Sequence, residues 1–357
     1  MKIGIIGLPQ TGKKTLFELV TRQHPSEHDL AAGKPVAGIA EISDPRFDWL
    51  VNLYQPKKSV RARINVELLP KLEKSFAGNS ELLKALSTMD ALCHVVRVFA
   101  DDSVYHVNGS IDPKRDIAEV NAELVLSDLL FVEKRLERID KDLKHQKEER
   151  VVREKELFLK LKGWLEQGQP LRLFSFTAEE RRNITNYQLV TLKELIVVLN
   201  VSEETLTDQN LLNTLEKEYS QLRIYFIQVS ARVEDEISKL EDETERRQFM
   251  ESLGINEPVI DRLKRVCLTA LNLISFFTVG QDEVRQWTIK AQLTAPVAAG
   301  AIHTDMEKGF IRAEVMKYAD LNALGGEEKV SAAGKAYLKG KDYIVEDGDI
   351  ISIRFNV

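Results

Sequence analysis

The chain has 357 residues, with 50 lysines and arginines against 56 aspartates and glutamates, and a net charge of −6. This length is too great for one ordinary hydrophobic core and predicts two or three domains. The net acidity excludes bulk electrostatic attraction to nucleic acid, so no DNA sequence readout is expected. No apolar run approaches the length of a membrane span, and no membrane partner is expected. The isolated Cys93 and Cys267 indicate buried thiols in a reducing compartment, which predicts a cytoplasmic protein.

The strongest motif lies at the N-terminus. An apolar run over residues 3–6 predicts a strand, the spacing of residues 16–20 predicts a helix, and Gly7, Gly12 and Lys13 between them match the G-x-x-x-x-G-K core of a P-loop. In such a loop, backbone N–H groups at a helix N-terminus surround phosphate oxygens, and the lysine adds a positive charge. The alternative is a glycine-rich turn that binds nothing. The predicted phosphate-binding residues are Gly7, Pro9, Gln10, Thr11, Gly12, Lys13, Lys14 and Thr15.

One position departs from the P-loop pattern. The residue after the lysine is normally Ser or Thr, because its hydroxyl is a ligand of the Mg²⁺ ion between the β- and γ-phosphates. This position holds Lys14, and an ammonium cannot bind a cation. Thr15 follows one residue late, which turns its side chain by about 100° around the helix. The sequence therefore predicts a phosphate-binding loop whose metal site is altered.

The second phosphate-sensing segment is altered as well. A strand over residues 62–69 ends in Glu67-Leu68-Leu69-Pro70, where a metal-associated Asp and a glycine N–H are expected. Glu67 is a possible replacement for the Asp, but Pro70 has no N–H to donate. Residues 22–45, where a metal-binding Thr is expected, contain no Thr. His94, in the next apolar strand, is predicted to be a satisfied strand residue rather than a catalytic base.

The middle of the chain predicts a helical arm. From Asp116 onwards the apolar residues recur at alternating steps of three and four, and the flanking positions are densely charged. This pattern favours an antiparallel coiled-coil hairpin that acts as a contact arm, with basic residues around 141–153 that could meet RNA phosphates. An ordinary amphipathic hairpin packed on the main domain is the alternative. The apolar positions are Leu129, Val132, Leu136, Ile139, Leu143, Leu157, Leu161 and Trp164.

Two further strands end in polar corners. Residues 195–199 are followed by Asn200-Val201-Ser202-Glu203, and residues 224–229 by Ser230-Ala231-Arg232. Ligands of open α/β sheets bind at the carboxyl ends of the strands, so these corners are expected to hold a nucleotide base. The predicted base-binding residues are Asn200, Val201, Glu203, Ser230, Ala231 and Arg232.

The last segment changes character at about residue 275. Short strands over 275–279, 288–291, 310–315 and 350–355, around a helix near 331–338, predict a small α+β domain. His303-Thr304-Asp305 is expected to cap a turn rather than to form a catalytic triad. The cations that could form an RNA-facing patch, with an ordinary solvated face as the alternative, are Arg312, Lys335, Lys339 and Lys341.

Taken together, these motifs resemble the YchF / Obg-like ATPases of the translation-factor P-loop class over nearly the whole chain. The resemblance is carried by Gly7-Leu8-Pro9, the two polar corners and, most specifically, the run from Ala295 to Val315. It implies an α/β fold, with a Ras-like P-loop NTPase domain, an inserted antiparallel coiled-coil arm and a C-terminal ubiquitin-like β-grasp (TGS) domain. The implied boundaries are 1–120 and 191–274 for the NTPase domain, 121–190 for the arm and 275–357 for the TGS domain.

The resemblance also implies a function. The family's base motif N-x-x-E stands here as Asn200 to Glu203, and a Glu in place of the guanine-reading Asp implies ATP binding at least as good as GTP binding. The implied cofactor is ATP or GTP, and the implied partner is the ribosome or ribosomal RNA. The family's G-K-S-T and D-x-A-G motifs are replaced at Lys14 and at Glu67 to Pro70, which puts Mg²⁺ and hydrolysis in doubt.

Three functions are therefore left open by the sequence. The first is a ribosome- or RNA-associated regulator of translation that binds a nucleotide but hydrolyses it weakly or not at all. The second is a pseudo-NTPase scaffold that acts through its arm and TGS domain. The third is an active ATPase or GTPase with a substituted metal site.

Overall fold

The computed structural model describes residues 1–31, 33–73, 75–145 and 148–356. The chain forms two compact units, of which the first comprises Met1–Ala40 and Asn65–Val266. The second comprises Glu41–Ile64 and the chain from Cys267 onwards. Residues 41–64, which the family resemblance places in the NTPase domain, thus group by their contacts with the second unit. Residues 146 and 147 of the basic arm tip lie outside the described residues.

The elements alternate between strands and helices through most of the chain. The strands are β1 (Lys2–Ile6), β2 (Val36–Glu41), β3 (Lys58–Val60), β4 (Arg63–Leu68), β5 (Ala91–Arg97), β6 (Glu194–Asn200), β7 (Ile224–Val229), β8 (Leu273–Thr278), β9 (Glu283–Lys290), β10 (Phe310–Lys317), β11 (Tyr337–Lys339) and β12 (Asp349–Phe355). The helices are α1 (Lys13–Thr21), α2 (Glu27–Ala31), α3 (Pro45–Tyr54), α4 (Ser80–Ser87), α5 (Pro113–His145), α6 (Glu149–Leu165), α7 (Ala178–Ile184), α8 (Asn210–Glu218), α9 (Ala231–Lys239), α10 (Glu243–Ser252), α11 (Val259–Ala270), α12 (Ala295–Ile302), α13 (Thr304–Lys308), α14 (Tyr318–Leu324) and α15 (Glu327–Ala332).

The first unit is built on a six-stranded sheet with the order β2-β4-β1-β5-β6-β7. Strands β4, β1, β5, β6 and β7 run parallel to their neighbours. Every residue of β5 is buried, because helices cover both faces of a parallel sheet and its strands can be apolar throughout. The parallel arrangement brings the carboxyl ends of β1, β4, β5, β6 and β7 to one edge of the sheet.

The predicted helical arm is confirmed. Helices α5 and α6 form a hairpin in which ion pairs join Glu133 to Lys162 and Asp140 to Lys155. A later residue of α5 pairs with an earlier residue of α6, so the two helices are antiparallel. The buried side chains of this hairpin include Val132, Leu136, Ile139, Leu157 and Leu161. The apolar spacing read from the sequence is therefore the seam between the two helices.

A buried carboxylate fixes the base of the arm. Asp128, on α5, accepts hydrogen bonds from the backbone N–H groups of Val190 and Thr191 at 2.8 Å each, and from the Thr191 hydroxyl at 2.5 Å. Burial raises the pKa of Asp128 to about 6, while these donors favour its charged form and lower that pKa. The bonds tie α5 to the segment that leads into β6.

The second unit has a mixed sheet with the order β11-β10-β12-β8-β9-β3. Strand β12 is parallel to β8 and antiparallel to β10, and the β8–β9 hairpin is antiparallel. With α12 packed against the sheet, this is the ubiquitin-like β-grasp arrangement expected from the sequence. The predicted helix over residues 331–338 is wrong, because α15 ends at Ala332 and residues 337–339 form β11, paired with β10.

The segment from residue 41 to residue 64 supplies the rest of this unit. Strand β3 pairs in parallel with β9, and Phe47 and Leu50 of α3 pack into a core with Phe277 and Ile350. The Arg46 guanidinium bridges Asp44 and Asp347. No helix in the described ranges has an apolar stretch long enough to cross a bilayer.

Candidate phosphate-binding site

The loop between β1 and α1 has the backbone of a P-loop. Gly7 and Gly12 have φ angles of +152° and +91°, and Gln10 has a φ of +58°. A Cβ atom at Gly12 would lie 2.2 Å from Nδ2 of Asn200, so only glycine fits there. Gly12 caps α1 without any side-chain hydrogen bond to the first turn of the helix. The first N–H groups of α1 therefore receive no side-chain acceptor from their cap residue and are available to an anion, as phosphate binding requires.

Lys13 is folded back into this loop. Its ammonium donates hydrogen bonds to the carbonyl oxygens of Gly7 and Leu8 at 2.7 and 2.6 Å, and the residue is 8% exposed. Burial lowers the pKa of Lys13 to about 7, and the positive charge of Lys71 lowers it further in the same direction. No carboxylate pairs with Lys13 among the residues that the structure describes. An anion in the loop would supply the missing counter-charge.

Asn200 joins the loop to the corner after β7. Its Nδ2 donates to the Thr11 carbonyl oxygen at 3.0 Å, and its Oδ1 accepts from the Ala231 N–H at 3.0 Å. Nearby, Ser230 is 1% exposed, and its hydroxyl has no partner in the described part of the chain. The structure thus brings the loop together with Asn200, Ser230 and Ala231. The loop was predicted to bind the phosphates of a nucleotide, and the other three residues to bind its base.

The other predicted base-binding residues lie differently. Val201 is buried in the hydrophobic core of the first unit, so its side chain does not face a ligand. Glu203 begins a short 3-10 turn, and its side chain is exposed. Arg232 is also exposed and pairs with Glu236 at 3.2 Å on the surface of α9.

A cavity of about 750 Å³ opens beside the loop. It is lined by residues 10–14, by Leu30, Gly33 and Lys34, and by the end of β4 with the segment that follows it. The predicted residues Gly7, Pro9 and Thr15 do not line it, although the Gly7 carbonyl holds Lys13. Its ionisable lining residues are Lys13, Lys14, Lys34, Lys71 and Glu73. Among the residues that the structure describes, the lining has four lysines and one carboxylate, so the cavity fits an anionic ligand.

Sequence reasoning missed Lys34 and Lys71. The signal for Lys71 was nevertheless present, because it follows the carboxyl end of β4 directly and β4 is the parallel neighbour of β1. Carboxyl ends of adjacent parallel strands share one edge of the sheet, which places residues after β4 next to the P-loop. Lys34 lies in a turn between α2 and β2, where no periodic pattern gives its position.

The residues present do not fit the Mg²⁺ ion that this fold usually binds. Lys14 occupies the ligand position, and its ammonium lies 3.8 Å from the Glu18 carboxylate. Glu67 does not line the cavity and pairs instead with Lys2 at 2.8 Å. No group of three or more His, Cys, Asp or Glu residues within the described ranges is arranged to hold a metal.

His94 lies in β5 opposite Ile6, beneath the loop. It is 1% exposed, and neither ring nitrogen has a hydrogen-bond partner among the described residues, so the prediction of a satisfied strand residue is wrong. Burial lowers the pKa of His94 to about 3, and the Lys13 charge acts in the same direction. The imidazole is therefore neutral at physiological pH.

A parallel sheet with a P-loop after its first strand, linked by an asparagine to the corners of β6 and β7, defines a Ras-like P-loop NTPase. A family model named YchF-GTPase_C, described as a protein of unknown function (DUF933), matches residues 273–356. The chain is also 40% identical to the "Ribosome-binding ATPase YchF" of Bacillus subtilis, over 99% of both proteins. The chain belongs to the YchF / Obg-like ATPase family.

Other comparisons agree with this assignment. The chain is 35% identical to "Obg-like ATPase 1" of Oryza sativa subsp. japonica, over 100% of this chain and 92% of that protein. It is similar to the solved structure of the Schizosaccharomyces pombe YchF GTPase, with a TM-score of 0.85 and 32% identity over 99% of this chain and 97% of the other. The family resemblance and the fold class predicted from the sequence are both confirmed.

Proposed function

We propose that this protein binds a nucleoside triphosphate at its P-loop, ATP at least as well as GTP, and hydrolyses it weakly or not at all. The proposal rests on a contrast between the phosphate-binding loop, which is intact, and the metal-binding positions, which are altered. The loop keeps glycine at position 12, a lysine without a carboxylate partner and an uncapped helix N-terminus, all of which favour phosphate binding. The metal positions, in contrast, hold Lys14 and a Glu67 that pairs with Lys2.

Weak hydrolysis follows from this contrast. Phosphoryl transfer depends on charge stabilisation in the transition state, to which Mg²⁺ between the β- and γ-phosphates contributes much. Lys14 offers one positive charge on a flexible side chain, which is held less firmly than a coordinated ion. A cation that binds the ground state and the transition state equally well improves binding without lowering the barrier.

The cellular role is proposed by analogy with the relatives. Two of them are named ribosome-binding or Obg-like ATPases and match nearly the whole chain, including the arm and the β-grasp unit. We therefore propose a cytoplasmic regulator of translation that associates with the ribosome or its RNA. Sedimentation with ribosomes, with and without nucleotide, tests this part. Equal sedimentation in a ribosome-free control would contradict it.

The nucleotide part is tested by equilibrium binding of a fluorescent ATP analogue, with GTP as competitor, in Mg²⁺ and in EDTA. We expect micromolar binding that is indifferent to Mg²⁺, together with little phosphate release. Lys14→Ser restores a hydroxyl at the ligand position and is expected to make binding depend on Mg²⁺. Lys134→Ser, at an exposed position on α5, is the matched control and should change nothing.

Each other outcome has a distinct meaning. An unchanged Mg²⁺ response in Lys14→Ser contradicts the role given to Lys14. An absence of binding in every condition favours the pseudo-NTPase scaffold instead. Rapid phosphate release by the wild type favours an active enzyme with a substituted metal site.

A further inference from the structure

We propose that Lys71, on the segment after β4, binds the terminal phosphate of the nucleotide in place of a divalent cation and gives the site its preference for triphosphates over diphosphates. This inference rests on the proposed nucleotide binding and goes beyond it. It assigns a residue and a specificity that neither the P-loop motif nor the family model describes.

The position of Lys71 is the first argument. Lys71 lines the same cavity as Lys13 and Lys14, but it comes from the segment after β4 and not from the P-loop. The loop amides and Lys13 hold the β-phosphate in this class of site, which leaves the other residues that line the cavity to contact the phosphate beyond it. The residue before Lys71 is Pro70, which has no N–H for that phosphate. The ammonium of Lys71 supplies donors at the place where the backbone donor is missing.

The positive charges that line the cavity also favour this role. Lys71 is close enough to Lys13 to depress its pKa, so the two cations repel each other in the free protein. Lys34 and Lys71 have no ion pair within the described residues, and the nearest weak pair of Lys14 is with Glu18. Among the described lining residues, four lysines beside a single carboxylate leave an excess of positive charge, which a polyanion neutralises when it enters the cavity.

The absence of metal ligands is the third argument. A divalent ion contributes two positive charges between the terminal phosphates, and Lys14 and Lys71 together carry the same charge. Both line the cavity, Lys14 from the first turn of α1 and Lys71 from the segment after β4. A Mg²⁺ ion bound to the nucleotide would be repelled by these lysines, so the preferred ligand is a nucleoside triphosphate without metal.

The experiment compares ATP and ADP binding by calorimetry in EDTA, using the full chain. Lys71→Met should weaken ATP binding about tenfold or more, the loss of one charge-assisted contact, while ADP binding changes less than twofold. Lys71→Arg keeps the charge and should keep the preference for ATP. Lys134→Met, an exposed lysine on α5, is the control and should match the wild type.

The outcomes separate the two proposals. If the wild type binds neither nucleotide, the proposed function fails, and this inference fails with it. If the wild type binds ATP but Lys71→Met weakens ATP and ADP equally, or neither, only the role of Lys71 is overturned. Unfolding midpoints of all variants, compared with the wild type, show whether a loss of binding comes from misfolding. If Lys71→Met is misfolded, Lys71→Arg provides the test, because it keeps the charge and loss of its ATP preference would overturn the role of Lys71.

Discussion

Nucleotide binding should depend on pH through Lys13. Burial and the Lys71 charge lower the pKa of Lys13 to about 7 in the free protein, so its ammonium loses its proton as the pH rises above neutrality. A bound phosphate favours the charged form, and binding at alkaline pH must therefore include proton uptake. With a pKa of about 7, the apparent dissociation constant should rise about twentyfold between pH 7.5 and pH 9.

The assay is isothermal titration in EDTA across this pH range. Phosphate groups of the nucleotide are already ionised there, and His94 stays neutral because its pKa is about 3, so neither contributes to the change. Titrations at pH 8 in two buffers of different ionisation enthalpy should give an uptake of about 0.9 proton per nucleotide. Lys13→Met should bind weakly and show no such dependence. A wild-type affinity that varies less than threefold over the range would refute the reasoning.

Two further substitutions test the site. Gly12→Ala places a Cβ atom 2.2 Å from Asn200 Nδ2 at a φ of +91°, and urea unfolding should show a loss of about 2–4 kcal/mol together with lost nucleotide binding. Gly168→Ala, at a φ of +75° with no atom nearby, should cost only about 1 kcal/mol, and equal losses would contradict the account. Ser230→Ala removes a buried hydroxyl without a described partner, so the free energy of unfolding should rise by about 1 kcal/mol while nucleotide affinity falls. A less stable variant would show that the hydroxyl is already paired in the free protein.

The sequence predicted the fold correctly where an element is marked by a local motif or by a regular spacing of apolar residues. The P-loop, the arm seam and the long apolar strands all appear as predicted, because their residues determine their own burial pattern. The edge strands β3 and β11 were missed, since three charged or mixed residues take strand geometry only from a neighbouring strand. The contacts that group residues 41–64 with the second unit could not be read from the sequence either, because contacts such as Arg46 to Asp347 join positions 301 residues apart.

In the candidate site, too, some features were predictable from the sequence and others were not. Loop composition gave Gly12 and Lys13, and the strand order brought Asn200 to them as expected for a parallel sheet. Side-chain direction was beyond the sequence, since Glu67 was a candidate metal ligand and instead pairs with Lys2. The unpaired ring of His94 was also beyond it, because hydrogen-bond satisfaction depends on neighbours from other strands.

Helix α5 crosses from the sheet core into the arm without a break. Ile117, Val120 and Leu124 pack in the core beneath the sheet, while Val132 and Leu136 pack against α6. The helix has 33 residues and is about 50 Å long, and about 32 Å of it lies beyond Leu124. A tilt of about 5° at its base would thus move its far end by about 3 Å. Because the helix is continuous, a small change of its angle at the sheet is enlarged along the arm in proportion to the arm's length.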